Sequence, residues 1–173
     1  IGIFQFLTKF LWIPAFNLNF IIGIDGISLF FIILTTLLIP LCFLISWKSI
    51  EFNLKEYFLA FLIMEFFLIG VFSILDLLLF YIFFESVLIP MYLIVGIWGS
   101  RERKIRAAYF FFLYTLLGSV LMLLSILYIY YQIGTTDYEI LLTFIFSKTE
   151  QKFLWLSFFG SFATKVPMVP VHL

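Results

Sequence analysis

Charged residues are scarce in this 173-residue chain: they make up 12% of it, while hydrophobic residues make up 65%. The mean hydropathy is +1.21. A water-soluble domain of this length needs far more polar surface, so the composition excludes one. The basic and acidic residues balance to a formal net charge of zero, which removes the electrostatic basis for binding nucleic acid. The sequence therefore predicts an all-α, polytopic membrane protein.

Cysteine and histidine are nearly absent, with one residue of each, Cys42 and His172. A single thiol forms neither a disulfide framework nor a cysteine metal site, and a single histidine cannot supply the paired axial ligands of a haem. The sequence also lacks a CxxC pair, a GxGxxG motif and a P-loop. We therefore expect no redox cofactor, nucleotide or metal ion in this chain.

Residues 1–23 are apolar but are interrupted by polar residues and a proline. The interruptions are Lys9, Pro14, Asn17 and Asn19. Phe and Trp residues flank them, which favours a segment lying at the membrane interface. A short kinked span is the alternative. The basic n-region and cleavage site of a signal peptide are not visible here.

Five long apolar segments follow, each suited to cross a hydrocarbon core of ~30 Å as a helix. They are segment A (26–47), segment B (57–75), segment C (77–98), segment D (107–131) and segment E (153–173). Asp25 or Ser28 can cap the start of A, and Asp76 can cap the start of C. We expect a short interfacial helix between D and E, capped by Thr136 or Asp137.

Basic residues in the loops predict the orientation of these segments. The loops between A and B and between C and D carry six, which are Lys48, Lys55, Arg101, Arg103, Lys104 and Arg106. The other side carries three, which are Lys9, Lys148 and Lys152. By the positive-inside rule, the A–B and C–D loops lie on the cytoplasmic or matrix side.

Three charged side chains lie deep inside the predicted spans: Glu65 in B, Glu85 in C and Lys165 in E. At the helical rise per residue, Glu65 and Lys165 lie roughly 12 Å, and Glu85 roughly 18 Å, from the basic side. Charges at this depth are costly and mark proton or ion paths. A Glu–Lys pair is a switchable proton site, because separating the two lets Glu take a proton and Lys lose one. The alternative is a static ion pair that joins two helices.

Prolines follow the lysine of segment E closely, at Pro167 and Pro170. Prolines at this depth free backbone carbonyl groups and predict a broken helix, which in many transporters forms a binding site. A simple kink is the alternative, as expected for Pro40 in segment A. His172 titrates near neutral pH and is a candidate proton carrier.

Three stretches carry a resemblance to a known family: GIDGISLFFIILTTLLIP, LDLLLFYIFFESVLIPMYLIVGIWGSRERKIRAAYFFFLYTLLGS and SFATKVPMVPVH. They are similar to the subunit 4 family of mitochondrial NADH dehydrogenase, the antiporter-like proton-pumping subunits of respiratory complex I. The resemblance implies that Glu85 pairs with Lys165 and begins a chain of buried ionisable residues, with Glu65 nearby. It also implies a multi-pass location in the mitochondrial inner membrane, with the A–B and C–D loops facing the matrix. The implied partners are lipid, other membrane-arm subunits and neighbouring antiporter-like subunits.

The same resemblance implies a partial antiporter-like domain over residues 24–173. Family members contain two inverted helical repeats, and this chain is expected to lack the first two spans and the second repeat. It is then either an incomplete piece or one part of a split subunit that a second chain completes. Two other interpretations remain: a subunit of a cation/proton antiporter complex, which shares the Glu–Lys pair, and a structural membrane scaffold without its own proton path.

Overall fold

A computed structural model describes residues 4–169, which form a β-hairpin followed by a bundle of helices. The elements are β1 (Gln5–Ile13), β2 (Leu18–Ile24), α1 (Gly26–Ser46), α2 (Leu54–Ser73), α3 (Leu77–Ser86), α4 (Leu88–Trp98), α5 (Lys104–Ile133), α6 (Tyr138–Leu141) and α7 (Lys148–Lys165). Within residues 4–169, four helical segments are long and apolar enough to cross a membrane: α1, α2, α3 with α4, and α5. They correspond to segments A to D, and the predicted helical membrane bundle is confirmed.

The N-terminal segment is an antiparallel hairpin, a structure that the apolar pattern of residues 1–23 did not predict. β1 pairs with β2 across a short 3-10 turn at Pro14–Phe16. Asn17 closes the turn with φ of 50°, in the left-handed region that asparagine tolerates. The alternative of a short kinked span is wrong, because the chain reverses at this turn and returns as a paired strand. The location of the hairpin at the membrane interface stays a prediction.

Three helices begin at carboxylate caps. The Asp25 side chain accepts a hydrogen bond from the Ser28 N–H (2.6 Å), and the Ser28 hydroxyl accepts one from the Asp25 N–H (2.9 Å), so both predicted residues share one capping box at α1. Asp76 caps α3, as predicted. At α6 the cap is Asp137, which accepts from the Glu139 N–H at 3.1 Å. These caps satisfy N–H groups that a helix start leaves without intrahelical partners.

Segment C is divided into α3 and α4, and the break lies at Val87. Pro90 explains the position, since its ring conflicts with the carbonyl of the residue four positions earlier, Ser86, where α3 ends. The break therefore follows Glu85 closely. Pro40, in contrast, lies inside α1 without dividing it.

Segment E begins earlier than predicted, because Ser147 and Glu150 form a capping box that starts α7 at Lys148. The 18-residue α7 is not one of the four candidate spans of the described chain, which is one fewer than the five predicted. Its charged residues explain this difference; they are Lys148, Glu150, Lys152 and Lys165. α7 ends at Lys165, before Pro167, where a broken helix was predicted. Pro170 and His172 lie outside the described residues.

The two ends of the bundle are held by different contacts. At one end, Trp98 Nε1 donates to the Phe52 carbonyl (2.9 Å) and joins the end of α4 to the α1–α2 loop. At the other end, the Leu75 N–H donates to the Ile21 carbonyl and the Tyr138 N–H donates to the Leu75 carbonyl, both at 2.9 Å. The A–B and C–D loops therefore share one end, opposite the hairpin. Which end faces the matrix stays a prediction.

A buried glutamate–lysine pair as the candidate functional site

Glu85 and Lys165 form an ion pair between α3 and α7. The Lys165 Nζ lies 3.1 Å from Glu85 Oε1, and the two side chains are 15% and 17% exposed, lysine first. Eighty positions separate them in the sequence, so the fold alone brings them together. A buried ion pair is retained only with good geometry and supporting contacts, because each charge loses its hydration. The two residues predicted to pair are thus in contact, while their role in proton transfer stays a prediction.

The lysine ammonium is held by Phe84 as well as by the glutamate. Lys165 Nζ donates to the Phe84 carbonyl at 2.7 Å and lies 3.3 Å from the centroid of the Phe84 ring. Phe84 belongs to the last four residues of α3, whose carbonyls lack an intrahelical partner when a helix ends. The break at Val87 therefore supplies the acceptor, and the ring face adds a cation–π contact.

One oxygen of the Glu85 carboxylate is buried against the lysine without a hydrogen bond. Glu85 Oε1 is buried and accepts no hydrogen bond from the described residues, so its 3.1 Å contact with Lys165 is an electrostatic one. A buried carboxylate oxygen with no hydrogen-bond donor depends on the nearby cation for its stability.

An apolar cavity of about 470 Å³ opens beside Lys165. Among the described residues that line it, Lys165 is the one charged residue; the others include Met64, Leu68, Met91 and Phe111. These residues come from α2, α4 and α5, so the cavity lies between helices of the bundle. Surroundings of low polarity strengthen the interaction between two charges. A small change in the Glu85–Lys165 separation consequently has a large electrostatic effect.

The structure describes one of the two other predicted site residues, Glu65. Glu65 lies half-buried on α2, outside the cavity lining, and takes part in neither ion pair of the described chain. His172 lies outside residues 4–169. The predicted roles of both residues stay predictions.

A second buried polar cluster, where the hairpin meets the bundle, was not predicted as a unit. The Thr136 hydroxyl donates to Asp76 Oδ2 at 2.6 Å. Lys9 Nζ lies 2.8 Å from Asp137 Oδ2, and the Asp137 side chain is 4% exposed. The local sequence predicted Asp76, and either Thr136 or Asp137, as caps. It carried no signal for these contacts, which join residues 60 and 128 positions apart. The cluster fastens β1, α3 and α6 together at the end opposite the basic loops.

A comparison with known protein families identifies the family of this chain. Residues 74–173, more than half of the chain, match the family described as "NADH:quinone oxidoreductase/Mrp antiporter, TM". The chain belongs to this family. The match contains both Glu85 and Lys165, whereas Glu65 and the hairpin precede it.

Individual members of the NADH:quinone oxidoreductase/Mrp antiporter family resemble almost the whole chain. It is 70% identical over 170 residues to NADH-ubiquinone oxidoreductase chain 4 of Chondrus crispus, covering 98% of this chain and 35% of that one. The Arabidopsis thaliana protein of the same name is 65% identical, with 98% and 34% covered. A chain of respiratory complex I from Thermus thermophilus with bound NADH superimposes with a TM-score of 0.85 at 31% identity, with 98% and 36% covered. The predicted resemblance is confirmed, and the chain spans about a third of the length of these relatives.

Proposed function

We propose that this chain contributes to a proton-translocating membrane-arm subunit of respiratory complex I in the mitochondrial inner membrane. The observation that carries the proposal is the buried Glu85–Lys165 contact at 3.1 Å between α3, which is part of a candidate membrane span, and α7. The names of the eukaryotic relatives support complex I and the mitochondrion. Other subunits would then carry the electrons from NADH to ubiquinone, and other membrane-arm subunits would be its neighbours.

The geometry indicates how the pair would move a proton. In the observed arrangement, each residue favours the charged form of the other. If Lys165 moves away from Glu85, an ammonium is left in apolar surroundings and gives up its proton to the next acceptor in the membrane. Glu85, without the ammonium beside it, takes up a proton in its turn and passes that proton to Lys165 when the lysine returns. Both residues lie at helix ends, α3 at Ser86 and α7 at Lys165, where small movements cost least. Quinone reduction elsewhere in the complex would drive the change in separation.

A cation/proton antiporter complex is the second candidate, because the family description names Mrp antiporters as well. The identity of 65–70% to complex I chains favours the first candidate. A structural scaffold is the third interpretation, and it predicts that neutralising either charge weakens assembly without changing turnover.

The test is Glu85→Gln in the assembled complex, with proton pumping and electron transfer measured in the same membrane vesicles. We expect a lower proton-to-electron ratio or a slower electron transfer rate, because the amide cannot hold the ammonium beside it. Glu139→Gln, at an exposed glutamate on α6, is the matched control and should change neither value. If Glu85→Gln leaves both the ratio and the rate unchanged in fully assembled complex, the proposed function is wrong. Reduced assembly with unchanged turnover per complex would favour the scaffold.

A further inference from the structure

α5 and α7 lie close together at Gly118. A Cβ built on Gly118 would lie closer than 3.0 Å to three atoms of Thr164, which are Oγ1, Cγ2 and Cβ. Rotating the threonine side chain moves the first two atoms but not Cβ, which would be 2.8 Å away and is fixed by the α7 backbone. Any residue other than glycine at position 118 therefore displaces α7 itself.

The contact between α5 and α7 is close around Gly118. Thr115 and Ser119 on α5 are each 1% exposed, and on α7 Ser161 is 0% and Ala163 1% exposed. Small residues of this kind let two helices in a membrane approach closely. Interiors packed this tightly transmit strain instead of absorbing it. A shift at Thr164 is therefore passed along α7.

Thr164 is directly followed by Lys165, the last residue of α7. At Thr164, α7 lies against Gly118 of α5. The next side chain, Lys165, reaches α3, where its Nζ lies 3.1 Å from Glu85 Oε1 and 2.7 Å from the Phe84 carbonyl oxygen. Neighbouring residues of a helix point about 100° apart, so a displacement of α7 from α5 also moves Lys165 against α3.

We propose that Gly118 is a positioning residue for proton transfer: its missing side chain lets α7 lie against α5 and thereby sets the distance between Lys165 and Glu85. The inference rests on the proposed function of that pair. Restoring ordinary contact of at least 3.4 Å from the 2.8 Å approach requires a displacement of about 0.6 Å. That change is a fifth of the 3.1 Å separation within the pair.

The experiment compares two glycine-to-alanine variants in assembled complex. Gly118→Ala forces the displacement, while Gly96→Ala on α4 is the matched control, because a Cβ there would meet Ala108 Cβ at an ordinary 3.8 Å. Both changes favour helix formation to the same extent. We expect Gly118→Ala to lower the proton-to-electron ratio and to shift the pH profile of NADH:quinone turnover. We expect Gly96→Ala to leave both unchanged.

A double variant separates positioning from damage to the fold. Gly118→Ala with Thr164→Gly removes all three conflicting atoms, so we expect the proton-to-electron ratio and the pH profile to return toward those of Thr164→Gly alone. The proposal is overturned if assembled Gly118→Ala complex keeps its ratio and its pH profile, or if the double variant regains neither. Glu85→Gln is measured alongside: no effect of Glu85→Gln refutes the proposed function, whereas an effect of Glu85→Gln with none of Gly118→Ala refutes only the positioning role.

Discussion

Thr136→Val tests the buried cluster that joins the hairpin to the bundle. The Thr136 and Asp76 side chains lie in the core, at 1% and 2% exposure, and the threonine hydroxyl donates to Asp76 Oδ2 at 2.6 Å. The other carboxylate oxygen of Asp76 accepts from the Leu78 and Leu79 N–H groups, each at 3.0 Å. Valine replaces the hydroxyl by a methyl group of similar size, so it removes one donor and leaves a buried carboxylate oxygen without its partner.

The expected effect follows from the type of hydrogen bond. A hydrogen bond to a charged group contributes about 1.5–3 kcal/mol to stability. Thr136→Val loses this whole contribution, because Asp76 Oδ2 stays buried without its donor. Each 1.4 kcal/mol is a factor of ten in an equilibrium, so local opening at the start of α3 should become roughly 10- to 100-fold more frequent. The amides of Leu78 and Leu79 report that opening, because Asp76 caps them.

Hydrogen exchange of the purified complex, followed by mass spectrometry of peptides covering residues 74–82, measures this opening. Thr143→Val is the control, because Thr143 is exposed and its hydroxyl donates only to the Ile140 carbonyl of its own turn. We expect faster exchange in Thr136→Val and unchanged exchange in Thr143→Val. Equal exchange of residues 74–82 in Thr136→Val and the unmodified complex would refute the reasoning that this hydrogen bond holds the start of α3.

Two further predictions concern the same end of the bundle. Lys9→Met removes the cation beside buried Asp137. Because the Lys9 side chain is 51% exposed, we expect the stability of the hairpin to fall by less than about 1 kcal/mol, which would appear as hydrogen exchange a few-fold faster in β1. Unchanged exchange would show that the pair is not stabilising. The backbone N–H of Ser28, more than its hydroxyl, holds the pKa of Asp25 below its ordinary value of 3.8. The cap of α1 is therefore complete above pH 3.8 and is lost as the pH falls through the lowered pKa of Asp25. We expect hydrogen exchange at residues 27–30 to accelerate only below pH 3.8. Acceleration at a higher pH would contradict the role of Asp25 as the cap.

Hydropathy and local capping chemistry were sufficient to predict most of the bundle. The apolar segments from 26 to 131 predicted α1 to α5 because each is long enough to span a membrane and is bounded by polar residues. Asp25, with Ser28 as its alternative, and Asp76 are candidate caps in the sequence, because a polar side chain at a helix start accepts from free N–H groups whatever the rest of the chain does. Such features depend on residues within one turn of each other.

The hairpin and the break in segment C needed information that local patterns lack. Phe- and Ile-rich sequence suits a β-strand as well as a membrane interface, so residues 5–24 carried no decisive signal until β1 and β2 were seen to pair. Segment C contains Pro90, but whether a proline bends or divides a helix depends on its neighbours, as the undivided α1 around Pro40 shows. Contacts across the fold decide both outcomes.

The two charged residues of the candidate site could be predicted from the sequence, but the groups that contact them could not. Glu85 and Lys165 were recognisable because isolated charges at matched depth in apolar segments are costly, and because their motifs resemble a known family. The Phe84 carbonyl as a lysine acceptor follows from the helix break at Val87, and the role of Gly118 follows from the closeness of Thr164. Neither feature is visible in the sequence, since each depends on how two helices lie against each other.

The proposed function requires that Glu85 takes up and releases a proton when the complex turns over. Infrared difference spectroscopy of the assembled complex, recorded before and after addition of NADH and quinone, detects a carboxyl group that gains or loses a proton. We expect a carboxyl band in the difference spectrum of the unmodified complex that is absent from Glu85→Gln and retained in Glu139→Gln. Identical difference spectra for the unmodified and Glu85→Gln complexes would contradict the proposed function.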